Sequence, residues 1–286
     1  MTAFHRLHAR CSCGLAAPSF ALPGTTEQFE RGRPFTIDHL SLDLDLLVSE
    51  RSLVGAAILH VRRVSRSADT LLLDAVGFEL REVAWLPEEA AGLGAGKRAS
   101  TPRPADYSYD GDRLRITVPL TLTTGRLLIR YKATPRRGLY FLEPDSAVPE
   151  RPRQVWSQCQ DEDARHFIPC HDKPNVKMTT EVVVLVPPGM VVLSNGVLVD
   201  SQRPKPQRKD ASARWSYSFR LDAPHPAYLL TLVAGDFAIV TDRPARLSNG
   251  REVPIAYYVP PARKADAMRS FGQTPRMVEL FSRLTG

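Results

Sequence analysis

Cysteine is scarce in this chain, with four in 286 residues, at positions 11, 13, 159 and 170. Cys11 and Cys13 stand too close for a comfortable bridge. A Cys159–Cys170 bridge is possible but would close a small loop beside the most polar part of the sequence. Free thiols and a reducing, cytoplasmic compartment are therefore expected. No apolar run approaches the ~20 residues of a membrane-spanning helix, so no membrane association is expected. The mildly apolar residues 14–24 follow Arg6 and Arg10, but Pro18 and Pro23 interrupt them and make a poor signal peptide. Helical histidine pairs are absent as well. The seven histidines, at 5, 8, 39, 60, 166, 171 and 225, include no His-Glu-x-x-His and no other i, i+4 pair. No Gly-x-Ser-x-Gly elbow, phosphate-binding glycine loop or dinucleotide fingerprint occurs. The chain thus encodes no complete catalytic constellation, and no catalytic or metal-ligating residue is assigned.

What is present is ordinary for a water-facing globular chain: 43% hydrophobic and 24% charged residues, with 24 prolines spread between strand-like runs. The net charge of +7 invites a nucleic-acid reading. The densest basic stretch, residues 203–209, carries no aromatic side chain and reads as a solvated hairpin tip, so no nucleic-acid partner is expected.

Residues 1–34 show no period and are expected to be a disordered or draped tail. The spacing of His5, His8, Cys11 and Cys13 fits no zinc module. Leu40, Leu42, Leu44, Leu46 and Val48 then alternate with polar residues, as in a half-buried strand, and residues 53–64 read as the antiparallel partner. Further strands are expected at 71–73, 78–86, 113–120, 127–132, 180–186, 190–193 and 253–259. Residues 228–240 form one long apolar run, Trp215, Tyr217 and Phe219 alternate on one face, and residues 92–104 read as a loop. Close strand spacing without a helical period indicates an antiparallel sheet protein. From Pro261 the pattern changes. Ala262, Ala265 and Met268 fall at helical spacing, and a second helix is expected to start at Thr274-Pro275, with threonine as N-cap. Its apolar stripe would be Val278, Phe281 and Leu284.

The chemistry concentrates in residues 154–177, QVWSQCQDEDARHFIPCHDKPNVK. This segment is too polar for a core strand and too rich in aromatic, cysteine and histidine residues for a plain solvated loop. His166, Cys170, His171 and Asp172 could suggest a metal, but no second paired cluster accompanies them and Pro169 intervenes, which favours a structural role. Gln158 and Gln160 lie two apart, so on an extended strand they share a face. Two amide oxygens on one face can accept hydrogen bonds from one ammonium group, the requirement for holding a peptide's free amino terminus. Two polar strand residues facing water would have the same spacing.

Trp156-Ser-Gln158-Cys-Gln160, Asp163-Ala-Arg165, Ile168-Pro169-Cys170-His171-Asp172-Lys173-Pro174 and Lys177 follow one another in order. Gly138-Leu139-Tyr140 precedes them, and Leu193-Ser194-Asn195-Gly196, Tyr228-Leu229-Leu230 and Gly235-Asp236-Phe237 come after. From about residue 35 onward the chain resembles the amino-terminal domain of the zinc aminopeptidase family that includes aminopeptidase N and leukotriene hydrolase. The resemblance implies a mainly β fold, a saddle-like antiparallel β-sandwich over residues 35–245. Residues 246–286 would be the first helices of a truncated, α-helical, thermolysin-like catalytic domain. It implies that Gln160, with Gln158 beside it, binds the α-amino group of peptide substrates with a free amino terminus. Most members carry glutamate at the Gln160 position; glutamine resembles the leukotriene hydrolase and aminopeptidase B branch. It also implies a zinc cofactor in a full-length enzyme, with ligands absent from this chain. The polypeptide alone is therefore expected to be inactive. The alternative reading is a non-catalytic β-domain that serves as a binding or scaffold module.

Overall fold

A computed structural model describes residues 32–87, 101–203 and 213–286. The chain divides into Met1–Arg33 and Pro34–Gly286, and everything below concerns the second unit. The tail expected over residues 1–34 therefore lies almost wholly outside the described residues, as do most of the loop expected at 92–104 and all of the basic stretch beyond Arg203.

The described residues are mainly β. In chain order the strands are β1 (Phe35–Leu47), β2 (Ser52–Arg63), β3 (Thr70–Asp74), β4 (Phe78–Leu86), β5 (Arg103–Pro104), β6 (Tyr107–Tyr109), β7 (Arg113–Thr117), β8 (Thr124–Ala133) and β9 (Gly138–Leu142). They continue as β10 (Gln154–Gln158), β11 (Met178–Val186), β12 (Val191–Ser194), β13 (Val197–Gln202), β14 (Trp215–His225), β15 (Leu232–Gly235), β16 (Ala238–Arg246) and β17 (Glu252–Val259). A 3-10 turn at Pro261–Asp266 leads into α1 (Ala267–Phe271) and α2 (Thr274–Thr285).

The large sheet has eight strands in the order β13-β14-β11-β1-β2-β8-β4-β5, and a four-stranded sheet runs β12-β15-β10-β9. The alternation in β1 does what the pattern requires. Leu40, Leu42, Leu44 and Leu46 are fully or almost fully buried, while their neighbours are half-buried or exposed. One core runs from these leucines through Tyr131, Val155, Phe167 and Leu232, so both sheets share it.

Two expectations need correction, and one apolar run resolves into separate elements. The pairing is not wholly antiparallel, because β1 lies parallel to β11, His39 opposite Thr179. The intervening chain of more than a hundred residues supplies the crossover that parallel neighbours need. The apolar run 228–240 spans several elements. It is a 3-10 turn at Ala227–Leu229, then β15, then β16, and the two strands belong to different sheets. The break falls at Gly235-Asp236-Phe237, where a Cβ on Gly235 would lie 2.8 Å from the Phe237 ring and 3.0 Å from the Arg153 carbonyl. Thr274 is not an N-cap: it is the first residue of α2, and its hydroxyl donates backward to the Phe271 carbonyl at 2.7 Å. Pro275 stands in the first turn as expected.

The β16–β17 hairpin carries a second, smaller apolar cluster, in which Tyr257, Val259 and Ala267 pack with Ala238, Val240 and Ile255. The boundary expected at residue 245 falls inside β16. Helix α2 packs on β16, and Arg243 pairs with Glu279 at 2.6 Å. The sides of α2 that face in are Pro275, Val278, Glu279 and Ser282. Met277, Leu280, Phe281 and Leu284 stay exposed.

Candidate functional site: a glutamine cavity

Strand β10 is an inner strand of the four-stranded sheet, between β9 and β15, with Trp156 opposite Tyr140 on one side and Val233 on the other. The two rings stack with centroids 4.7 Å apart. Gln158 pairs with Gly138, the first residue of β9. Gly138 has φ +76, and a Cβ there would lie 2.0 Å from the Asp163 carbonyl oxygen. Only glycine tolerates that backbone conformation together with that approach, which explains why the Gly-Leu-Tyr motif accompanies the glutamine motif.

The strand ends at Gln158, so the reason given for a shared face does not extend to Gln160, which lies in a turn. Both glutamines are nevertheless exposed and line the same cavity. It has a volume of about 200 Å3 and is bounded by Ser157, Gln158, Cys159, Gln160 and the segment Tyr228 to Thr231. The Gln160–Asp161 peptide bond is cis.

The far wall is held by two motifs that lie far from the glutamines in sequence. Asn195, at the expected Asn-Gly turn, donates from Nδ2 to the Leu229 carbonyl at 3.1 Å and accepts from the Thr231 backbone N–H. Ser194 donates to the Thr231 carbonyl at 2.8 Å. From the glutamine side, Ser157 donates to the Leu230 carbonyl at 3.3 Å and accepts from the Leu232 N–H at 2.8 Å. Arg153 and Asp236 form a two-point pair at 3.1 Å that ties the start of β10 to the turn after β15. Asn195 and Asp236 thus frame the glutamines from 37 and 78 residues beyond Gln158, a relation no local spacing could show.

Beneath the loop that follows Gln160 lies a charged clasp. Arg165 donates from Nε to Asp172 at 3.2 Å, pairs with Glu162 through Nη2, and comes within 3.8 Å of Asp74. Lys173 pairs with Glu162 at 2.6 Å. The Asp172 N–H donates to Asp74 at 3.1 Å, and Asp74 and Cys170 exchange backbone hydrogen bonds. Asp172 is almost fully buried, and burial pushes its carboxyl up to about 6 despite the Arg165 hydrogen bonds. Burial also disfavours ionised Glu162, but Lys173 and Arg165 overcome this and hold its carboxyl below the ordinary range. His166 is pushed down by burial, only partly offset by Asp163.

Cys159 and Cys170 are both free and buried. Burial drives the Cys159 thiol up to about 12 and the Cys170 thiol well above its usual value, so neither is a nucleophile near neutral pH. The metal reading of His166, Cys170, His171 and Asp172 does not fit. Among the described residues no group of three or more His, Cys, Asp or Glu side chains is arranged to hold a metal. No helix of the described residues is long and apolar enough to cross a membrane. A larger cavity, about 770 Å3, opens beside β2, β4 and β8 near His60, Trp85 and Arg103, and it shares no residue with the glutamine cavity.

Known proteins resemble this chain over most of its length. Leukotriene A-4 hydrolase of Xenopus laevis is 29% identical over 211 residues, covering 72% of this chain and 32% of that protein. Leucine aminopeptidase 2 of Phaeosphaeria nodorum is 25% identical over 211 residues, again 72% of this chain and 32% of the relative. The chain therefore spans about a third of the length of these curated relatives. Among solved structures, an M1 zinc metallopeptidase from Deinococcus radiodurans superposes with a TM-score of 0.66 at 21% identity, covering 87% of this chain and 53% of that one. Native yeast LTA4 hydrolase superposes with a TM-score of 0.64 at 20% identity, covering 85% and 34%. The Peptidase M1 N-terminal domain family matches residues 36–229, more than half of the chain, and the chain belongs to that family.

Proposed function

We propose that this chain is the amino-terminal part of a zinc-dependent aminopeptidase acting in the cytoplasm on peptides with a free amino terminus. Its own contribution is recognition of the α-amino group by Gln158 and Gln160. The observation that carries the reading is the single cavity bounded by both glutamines and closed by the Tyr228 to Thr231 wall. Solved relatives fit the substrate class: one M1 zinc metallopeptidase was captured with a Tyr-Ser-Ala substrate and yeast LTA4 hydrolase with bestatin. In such an enzyme zinc would activate the attacking water. Among the described residues no group of three or more His, Cys, Asp or Glu side chains is arranged to hold the metal, so no step is assigned to this chain through it. Residues 35–245 are the β domain in this proposal and residues 246–286 the start of the catalytic domain. The polypeptide of 286 residues has no peptidase activity of its own, because it encodes no His-Glu-x-x-His.

An ammonium group donates to neutral amide oxygens in this site. With the amide only the ammonium donor is charged; a carboxylate in its place adds a direct ion pair to the hydrogen bond. Gln160→Glu should therefore bind leucine amide more tightly than the parent chain in calorimetric titration, and Gln160→Ala more weakly. N-acetylation of the ligand should abolish the difference among the three proteins. Equal binding of leucine amide and its N-acetyl derivative would refute amino-group recognition. A non-catalytic binding module is the second reading; detectable amino-terminal selectivity favours the first.

A further inference from the structure

Gln160 and Tyr228 do not face one cavity but two. On the far side of the glutamine cavity lies a second, about 260 Å3, lined by Gln160, Asp161, Glu162, Pro174 and Tyr228. That is room for several groups the size of a water molecule. Its walls carry two carboxylates, an amide and a tyrosine, and no cationic side chain.

The two carboxylates are not equivalent. Glu162 is already neutralised, by Lys173 at 2.6 Å and by Arg165. Asp161 is exposed and makes no ion pair or side-chain hydrogen bond with any described residue. The Arg165 and Lys173 charges are committed to the clasp with Glu162, Asp172 and Asp74. The cavity thus retains one uncompensated negative charge. Tyr228 is half-buried, and its ring offers a negative face to a cation.

We propose that Asp161 makes this second cavity a subsite for a cationic side chain, arginine or lysine, of a ligand whose α-ammonium group sits on Gln158 and Gln160. The proposal rests on the amino-group reading of the first cavity. Gln160 is the partition: its amide faces the α-ammonium group, and the next residue along the chain meets the side chain. The loop is fixed from below by the clasp, so the carboxylate is presented on a held backbone rather than a free one.

The test uses the full 286-residue chain and four ligands titrated by calorimetry or ligand-observed NMR: arginine amide, leucine amide and their N-acetyl derivatives. Arginine amide should bind about two- to five-fold more tightly than leucine amide, the range of an exposed ion pair. Asp161→Asn should bring that ratio to about one and leave leucine amide unaffected. The side chain has no partner among the described residues, so the substitution should leave unfolding unchanged. Equal affinity for arginine and leucine amides in the parent chain, or a preference that persists in Asp161→Asn, overturns the subsite. Acetylation separates the two ideas. A drop in affinity with the arginine preference retained supports both cavities. A retained preference with no drop refutes the amino-group reading and leaves the Asp161 subsite standing. No binding of any of the four ligands at millimolar concentration overturns both.

Discussion

Asp172 is a carboxylate that the fold has taken almost completely out of water, with one oxygen, Oδ1, buried and without a hydrogen-bond partner among the described residues. Arg165 supplies a countercharge at 3.2 Å, yet burial dominates and the carboxyl rises from 3.8 to about 6. The folded chain therefore takes up this proton more readily than the unfolded chain does. The group's contribution to stability is fully present below about pH 4 and is lost as pH rises through 6. The shift is about two units, so the loss amounts to ~3 kcal/mol at ~1.4 kcal/mol per unit. Asp172→Asn keeps the shape and removes the titration. Urea unfolding should show the parent losing up to ~3 kcal/mol relative to this variant between pH 4 and 6.5, whatever the offset between the two proteins. A difference that grows in the opposite direction would mean that Arg165 outweighs burial. Truncation of Arg165 is a harsher change. Arg165→Ala leaves two buried acids facing each other and should cost roughly 3–5 kcal/mol at pH 7, with much of the loss recovered at pH 4, where Asp172 carries a proton.

At the scale of elements, the glutamine cavity is a strand and its turn facing a wall that other motifs hold in place. Asn195 bridges the β12–β13 turn to the Leu229 to Thr231 segment with two hydrogen bonds. Asn195→Ala should cost about 1–3 kcal/mol, because it removes one donor and one acceptor from backbone groups. It should raise hydrogen exchange at the Thr231 amide and weaken leucine amide binding, while leaving the β1 and β2 amides protected. Loss of protection throughout the large sheet would show that Asn195 supports the whole domain rather than the wall. How far the sequence exposed these elements follows from the range of the forces involved. The leucine alternation of β1 and the Asn-Gly turn are set by neighbours in the chain, and both are legible. The parallel contact of β1 with β11, and the Asp74 to Asp172 link across 98 residues, depend on which distant strands meet. The run 228–240 does not reveal its break, because its apolar residues resume directly after Gly235-Asp236, although the backbone leaves one sheet for another there. The glutamines themselves were legible as a pair, for a reason that holds only in part: β10 ends at Gln158, and the turn brings Gln160 back to the same cavity.

At the scale of the molecule, the periodicity of α2 indicates an apolar face but not which neighbour covers it. The helix turns Pro275, Val278, Glu279 and Ser282 toward β16, held by the Arg243–Glu279 pair and by Ser248, whose N–H donates to the Ser282 hydroxyl at 2.9 Å. Polar contacts thus seat the helix. Met277, Leu280, Phe281 and Leu284, at i, i+3, i+4 and i+7, face solvent in the described residues, between 45% and 69% exposed. Met268 and Phe271 of α1 add to the apolar exposure at 47% each. An apolar face this continuous favours association in water, at ~25 cal/mol for each Å2 removed from solvent. The purified polypeptide should therefore bind a hydrophobic dye and elute larger than a monomer as its concentration rises. The pair Leu280→Lys and Leu284→Glu should reverse both behaviours without lowering the unfolding midpoint, because neither side chain contributes to either apolar cluster. A fall in the midpoint would show that the stripe is packed in solution. An unchanged elution profile would mean that another surface drives the association, and the exposed β13 residues Val197, Leu198 and Val199 would be the next to change.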